Sequence, residues 1–218
     1  MSWREMDHYT EPHWSRCALL TIDVQADTLA GQPFEIPGTT EALPAMRRVL
    51  AAARRAERPI VHVVRLYLDD GSNVDPCRRA RVESGWRPVT PGSAGSELAP
   101  GLAPPPGARL DAALLLAGGI QPLGAREVAI YKPRWGAFYR TPLEDHLRGL
   151  GIDTIVFTGC NYPNCPRTSI YEASERDYRI VVVTDSVSRL DPRGQEELAA
   201  IGVALHTAEG FAAAVGGG

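Results

Sequence analysis

Hydrophobic and polar positions along the chain fall into two alternating kinds of segment. Short, β-branched, apolar runs occupy residues 17–23, 59–67, 127–131, 153–158, 179–185 and 203–206. Runs of that length without polar alternation predict strands buried on both faces. Between them the period changes. In residues 40–58, Leu43, Met46, Leu50 and Ala53 recur at helical spacing, while Arg47, Arg48, Arg54 and Arg55 fall mostly on the other face as a solvated surface. Thr141-Pro142-Leu143-Glu144 reads as a capping box opening a helix that carries Leu147 and Leu150 inward and stops at Gly151. Residues 194–201 and 207–214 read as two more helices, and 109–123 as a short apolar segment of helical character. Strands alternating with helices predict an α/β/α sandwich around a parallel sheet.

Two stretches stand outside this rhythm. Residues 1–16 form an irregular N-terminal arm with Trp3, Tyr9 and Trp14 available to dock on the body. Residues 68–108 are rich in Gly, Pro, Ser, Asp and Arg, and a connection that long is expected to be a functional lid or a disordered insertion. With no internal repeat and no domain boundary, residues 1–218 read as one domain. His62, inside the second strand, reads as a satisfied core histidine.

Composition narrows the function. The formal net charge of -3 argues against nucleic acid or an anionic membrane as partner. No apolar run approaches the roughly 20 residues a bilayer needs. Cys17, Cys77, Cys160 and Cys165 form no small-domain disulfide framework and fit a reducing cytoplasm. Lys132 is the one lysine among 23 basic residues. A lysine kept alone among arginines hints at a place where a compact ammonium is required and a guanidinium fails.

The chemistry concentrates at strand ends. Asp23 closes the first strand, Lys132 follows the third, and the fourth runs through Gly159 into a turn carrying Cys160 and Cys165. Pro166 reads as a first helical residue, which makes Cys165 the N-cap or its neighbour. There the unpaired N–H groups and the positive end of the helix dipole favour thiolate. The carboxyl edge of a parallel sheet is where an α/β protein gathers its site. A thiol, an acid to take its proton and a cation beside them form a nucleophilic set.

In order and spacing these segments resemble the isochorismatase-like cysteine hydrolase superfamily, which includes nicotinamidase and N-carbamoylsarcosine amidohydrolase. The resemblance rests on residues 18–25, ending Ile22-Asp23-Val24-Gln25, on Tyr131-Lys132-Pro133-Arg134-Trp135-Gly136-Ala137-Phe138, on Gly159 followed six residues later by Cys165, and on Val182-Val183-Thr184-Asp185. It covers roughly residues 15–212. It implies a Rossmann-like three-layer fold with about six parallel strands and a homo-oligomer, dimer or tetramer. Cys165 would be the nucleophile, Asp23 the general base and later acid, and Lys132 their electrostatic partner. A cis peptide would fall at Cys160–Asn161, and the backbone N–H groups of Asn161 and Cys165 would form an oxyanion hole. Trp135, Phe138 and Tyr162 suggest aromatic pocket walls, and Arg167 a cation for a substrate carboxylate. The Asp-x-His set that holds metal in nicotinamidases is missing after the second strand, so no metal or cofactor is expected.

The expected activity is hydrolysis of an amide, lactam, ureido or carbamoyl C–N bond in a small molecule through a thioester. Isochorismatase-type vinyl-ether hydrolysis is the rival chemistry, disfavoured by Cys165 because that branch does without the cysteine. A binding protein retaining the fold is the rival from another class.

Overall fold

The computed structural model describes residues 8–217. Its strands are β1 (Cys17–Ile22), β2 (Ile60–Val64), β3 (Ile120–Gly124), β4 (Glu127–Tyr131), β5 (Thr154–Gly159), β6 (Arg179–Val187) and β7 (Ala204–His206). They form a single sheet in the order β3-β4-β2-β1-β5-β6-β7. All neighbours pair in parallel except β3, which lies antiparallel on β4 at one edge.

That edge strand corrects the reading of residues 109–123. The segment makes one short helix, α3 (Ala112–Leu116), and then turns at Gly118, whose φ of 83° is left-handed. The chain after the turn pairs as β3. Pro122 within it donates no ladder hydrogen bond, which an edge strand tolerates and a central one does not.

The remaining helices are α1 (Thr39–Arg55), α2 (Pro76–Glu83), α4 (Leu143–Gly149), α5 (Cys165–Ser174), α6 (Pro192–Ala200) and α7 (Ala208–Gly216). Alternation along β1 shows why the sheet needs cover on both faces. Cys17 and Leu19 face a cluster with Met46, Leu50 and Ala53 of α1 and Phe211 and Val215 of α7. Ala18, Leu20 and Ile22 face the opposite cluster, with Leu143 and Leu147 of α4, Ile170 and Ala173 of α5 and Leu198 of α6. Every residue of β1 is buried.

The capping box expected at residue 141 does not form. The Thr141 hydroxyl donates to the Ala137 carbonyl at 2.6 Å and accepts only a long bond, 3.3 Å, from Leu143 N–H. The Glu144 carboxylate is taken by Arg176 Nε at 2.8 Å. Residues 68–108 are also more ordered than an open loop. They contain α2, and Tyr67, Val74, Val82 and Val89 make a small core with Phe34 and Trp86. Hydrogen bonds from Ala26 N–H to Glu97 and from Ala99 N–H to Val24 tie the segment to the chain after β1. In the N-terminal arm, Trp14 packs edge-on to His206 and Phe211. Trp3 lies outside the described residues.

His62 is fully buried in β2 between Thr21 and Glu127. Its Nε2 lies 2.7 Å from the Glu127 carboxylate, which only accepts, so Nε2 carries the proton and Nδ1 takes the Thr21 hydroxyl at 2.7 Å. Arg54 holds both oxygens of Glu127, at 2.6 and 3.0 Å. Burial lowers the His62 pKa against the opposing pull of Glu127. Below about pH 6.5, the ordinary histidine value, the unfolded chain binds a proton that the folded chain refuses. The melting temperature should therefore fall as pH drops below about 6.5, and His62→Gln should flatten that part of the profile.

At the end of β5, Gly159 has φ 133°, and a Cβ there would meet the Ile22 carbonyl oxygen at 2.3 Å. Both the conformation and the close approach of β1 require glycine. Gly159→Ala should cost about 2–4 kcal/mol, combining left-handed strain with overpacking, read from the urea midpoint.

Candidate active site

The carboxyl ends of β1, β2, β4 and β5 converge. Immediately after β1, Asp23 adopts a left-handed backbone (φ 55°). That conformation costs an L-residue about 1–2 kcal/mol and survives where its surroundings hold it. Here Asp23 N–H donates to Val63 O at 2.9 Å, and Asp23 O accepts from Gln25 N–H and from the Cys160 thiol at 3.1 Å.

Lys132 stands one residue past β4, with its N–H on Val64 O at 3.0 Å. Its side chain is fully buried, with Nζ 2.8 Å from Asp23 Oδ2 and donating to Arg134 O at 3.1 Å. The other carboxylate oxygen, Asp23 Oδ1, is buried and has no hydrogen-bond partner among the described residues. One oxygen is thus anchored by the ammonium and the other is left to accept.

From Gly159 the chain passes through a cis peptide at Cys160–Asn161 and turns into α5. Cys165 is the first residue of that helix and Pro166 the second, one place later than the sequence pattern suggests. The geometric expectation holds in kind, since a first helical residue has no intrahelical acceptor for its N–H. Nor does the Asn161 N–H donate to any backbone acceptor among the described residues.

Burial works against the thiolate that the helix start favours. Burial, and then the neighbouring Asp23 carboxylate, push the Cys165 thiol up to about 12, while Lys132 and Arg65 pull it down without prevailing. A helix N-terminus stabilises a thiolate only where water or cations offset desolvation, and Cys165 is 5% exposed. The resting group is therefore a thiol beside a carboxylate.

Asp23, Asn161 and Cys165 line one narrow cavity with Arg65, Arg78 and Phe34. Its volume is about 20 Å³, room for about one water. Val89, from the segment after β2, helps close it. A larger cavity of about 540 Å³ lies beside α1 and the end of β6, lined by Glu41, Asp185 and Asp191. Two of those acids are already engaged, Asp185 by Ala208 N–H and Asp191 by Gly194 N–H, so the chemistry belongs to the narrower site.

Of the expected substrate contacts, three lie elsewhere. Phe138 is a core residue against Tyr178, 6% exposed. Tyr162 is buried with its hydroxyl on Gly194 O at 3.2 Å. Arg167 faces outward, 2.8 Å from Glu197 and stacked near Tyr162 and Tyr171. Phe138 and Tyr162 thus serve packing, and Arg167 an exposed helix face. Trp135 does not line the cavity either, but its ring lies 4.6 Å from the Arg78 guanidinium, which does.

The residues missed in the sequence are Gln25, Arg65 and Arg78. Gln25 is fully buried and ties off β2, donating to Arg65 O and Ser96 O and accepting Arg65 N–H at 2.8 Å. A charged residue ending the apolar run of β2 was the signal for Arg65. Arg78 carried no such signal, because only the folding back of α2 brings it to the cavity. Among the described residues no three His, Cys, Asp or Glu side chains come together as a metal site.

A model of the isochorismatase domain matches residues 17–110 and 115–209. The chain belongs to the isochorismatase family. It is 29% identical to a probable inactive nicotinamidase of Arabidopsis thaliana, over 82% of this chain and 84% of that protein. It is 26% identical to a ureidoacrylate amidohydrolase of Methylobacterium radiotolerans, over 80% of this chain and 67% of that one. Among solved structures, an isochorismatase family protein from Desulfovibrio vulgaris superposes with a TM-score of 0.78 at 29% identity, covering 92% of this chain and 98% of its own. The family assignment agrees with the seven-stranded, mostly parallel sheet.

The ion pair at the centre of this isochorismatase-family site makes a sharp prediction. Removing one partner of a buried pair leaves the other charge uncompensated, at about 3–5 kcal/mol. Lys132→Ala should lose that much by chemical denaturation. Lys132→Arg keeps the charge but not the compact fit, and should not restore wild-type stability.

Proposed function

We propose that this protein is a cysteine amidohydrolase that cleaves the C–N bond of a small amide, ureido or carbamoyl compound. The observation that carries the reading is a carboxylate with one oxygen anchored on a buried lysine and the other unpartnered, sharing a closed cavity with a cysteine thiol. The likeness to an amidohydrolase of ureidoacrylate supports the same bond class.

In this reading Asp23 takes the thiol proton as Cys165 Sγ attacks the substrate carbonyl carbon. Proton transfer within the pair avoids a free thiolate, which the high thiol pKa would otherwise disfavour. The developing oxyanion meets the N–H groups of Asn161 and Cys165, donors of a kind that contribute about 3 kcal/mol each. The C–N bond breaks as the nitrogen takes the proton from Asp23, leaving a thioester. Water then attacks the thioester carbonyl, giving a proton to Asp23. The C–S bond breaks, the acid departs, and Asp23 returns the proton to sulfur. Lys132 holds Asp23 in one place through both halves.

A non-catalytic binding role is the second reading, favoured by the likeness to the Arabidopsis protein called probable inactive. Alkylation separates the two without knowledge of the substrate. With Asp23 as the base, iodoacetamide should label Cys165 near pH 7, and Asp23→Asn should slow that labelling by on the order of 10²-fold or more. Peptide mass analysis reads both rates, with exposed Cys77 as internal reference. Because Cys165 is 5% exposed, an unlabelled Cys165 rejects the hydrolase, and leaves the binding role, when the amide panel below is also inert. Ammonia release from a panel of small ureido and carbamoyl acids, abolished in Cys165→Ser, is the direct assay.

A further inference from the structure

Arg65 and Arg78 are the cations of the cavity that the acid, lysine and cysteine do not account for. Arg65 lines the cavity, is 3% exposed, and its Nε has no hydrogen-bond partner among the described residues. Arg78 lines the same cavity from α2, and its guanidinium carbon lies 5.1 Å from the centroid of the Phe34 ring and 4.6 Å from that of Trp135. Both guanidinium groups turn to a single carboxylate. Asp75 Oδ2 is hydrogen-bonded to Arg65 and lies 3.4 Å from Arg78 Nη1, and the Tyr67 hydroxyl joins them. Asp23 is matched by Lys132, and Asp27 is engaged by Val89 N–H at 2.6 Å. Around Asp75, two guanidinium cations thus share one carboxylate, Arg65 in the buried interior and Arg78 with 18% of its side chain still exposed.

A carboxylate shared by two guanidinium groups leaves donors free for a second anion, and a planar guanidinium fits a carboxylate better than any other side chain does. We infer that Arg65 and Arg78 form a subsite for a carboxylate on the substrate, so that the scissile amide belongs to a small amido or ureido acid. This rests on the amidohydrolase reading and deepens it. Phe34, Ile36 and Val89 form the cavity's apolar wall, and because the closed cavity holds only about one water, the covering segment that carries Val89 and Arg78 must move outward before the short carbon segment between the carboxylate and the carbonyl can lie against it. The carboxylate function that the sequence suggested for Arg167 thereby passes to two residues that touch the site. Arg167 is already neutralised by Glu197 on the outer surface.

Two alkylating reagents of nearly the same shape test the subsite, because iodoacetate carries a carboxylate where iodoacetamide carries a neutral amide. With either one, Cys165 Sγ forms a C–S bond as iodide leaves with the C–I electron pair, and Asp23 accepts the thiol proton. The rate ratio of iodoacetate to iodoacetamide is measured at Cys165 and, in the same sample, at exposed Cys77. Taking the ratio cancels changes in thiol reactivity that both reagents share. The ratio at Cys165 should exceed that at Cys77 by about tenfold or more, the gain a focused positive cleft gives an anion. In Arg78→Gln it should fall toward the Cys77 value. Arg78 is the residue to replace first, because Asp75 keeps Arg65 as its partner in that variant, and near-UV circular dichroism confirms the fold. Equal ratios at the two cysteines overturn the subsite while leaving the cysteine nucleophile in place. A high ratio that survives both Arg78→Gln and Arg65→Gln overturns the assignment to these arginines. Cys165 inert to both reagents, in a protein also inert toward the amide panel, removes the amidohydrolase reading and the subsite with it.

Discussion

The buried contact between Lys132 and Asp23 is the interaction on which the rest of this site depends. Neighbouring strands of a sheet lie about 4.8 Å apart, and β2 runs between β4, which precedes Lys132, and β1, which precedes Asp23. The lysine must therefore reach across the end of β2 to find its carboxylate. It does so in the buried interior, where neither charge is tolerable alone. A flexible four-carbon stem with a compact head suits that path, which explains why an arginine-rich chain keeps its one lysine here.

What holds β2 out of the way is Gln25. Its side-chain amide occupies both the N–H and the C=O of Arg65, where the strand would otherwise end in unpaired polar groups. The same residue donates to Ser96 in the covering segment. One amide thus links the end of β2, the loop after β1 and the cover over the cavity. The Arg65 side chain is released from strand pairing to face the site. Electrostatics there is layered, with the Lys132–Asp23 pair behind the thiol and the Arg65–Asp75–Arg78 cluster on the side of the covering segment.

The state of Cys165 shows two fields in competition. A helix start attracts negative charge, yet the thiol is pushed up, because desolvation and an adjacent carboxylate outweigh the helix and two nearby cations. A neutral thiol paired with a carboxylate base is a different device from a free thiolate. In the proposed mechanism it would keep the nucleophile quiet until a carbonyl is close enough for proton transfer and attack to be coupled.

The sequence by itself determined the layered α/β architecture, because buried parallel strands and amphipathic helices carry distinct apolar periods that local reading resolves. It also marked Asp23, Lys132 and Cys165, since each follows an apolar run at the same edge of the sheet. Other features belonged to the tertiary structure alone. β3 escaped notice because an edge strand containing Pro122 has neither alternation nor a continuous apolar run. The pull toward thiolate was legible because helix position is local, whereas the opposing burial is set by everything packed around the thiol. Phe138, Tyr162 and Arg167 lie near the site in the chain but away from the cavity in space, and Arg78 is the converse. Which side chains border a cavity is decided by how distant segments fold over one another, and no period along the chain encodes it.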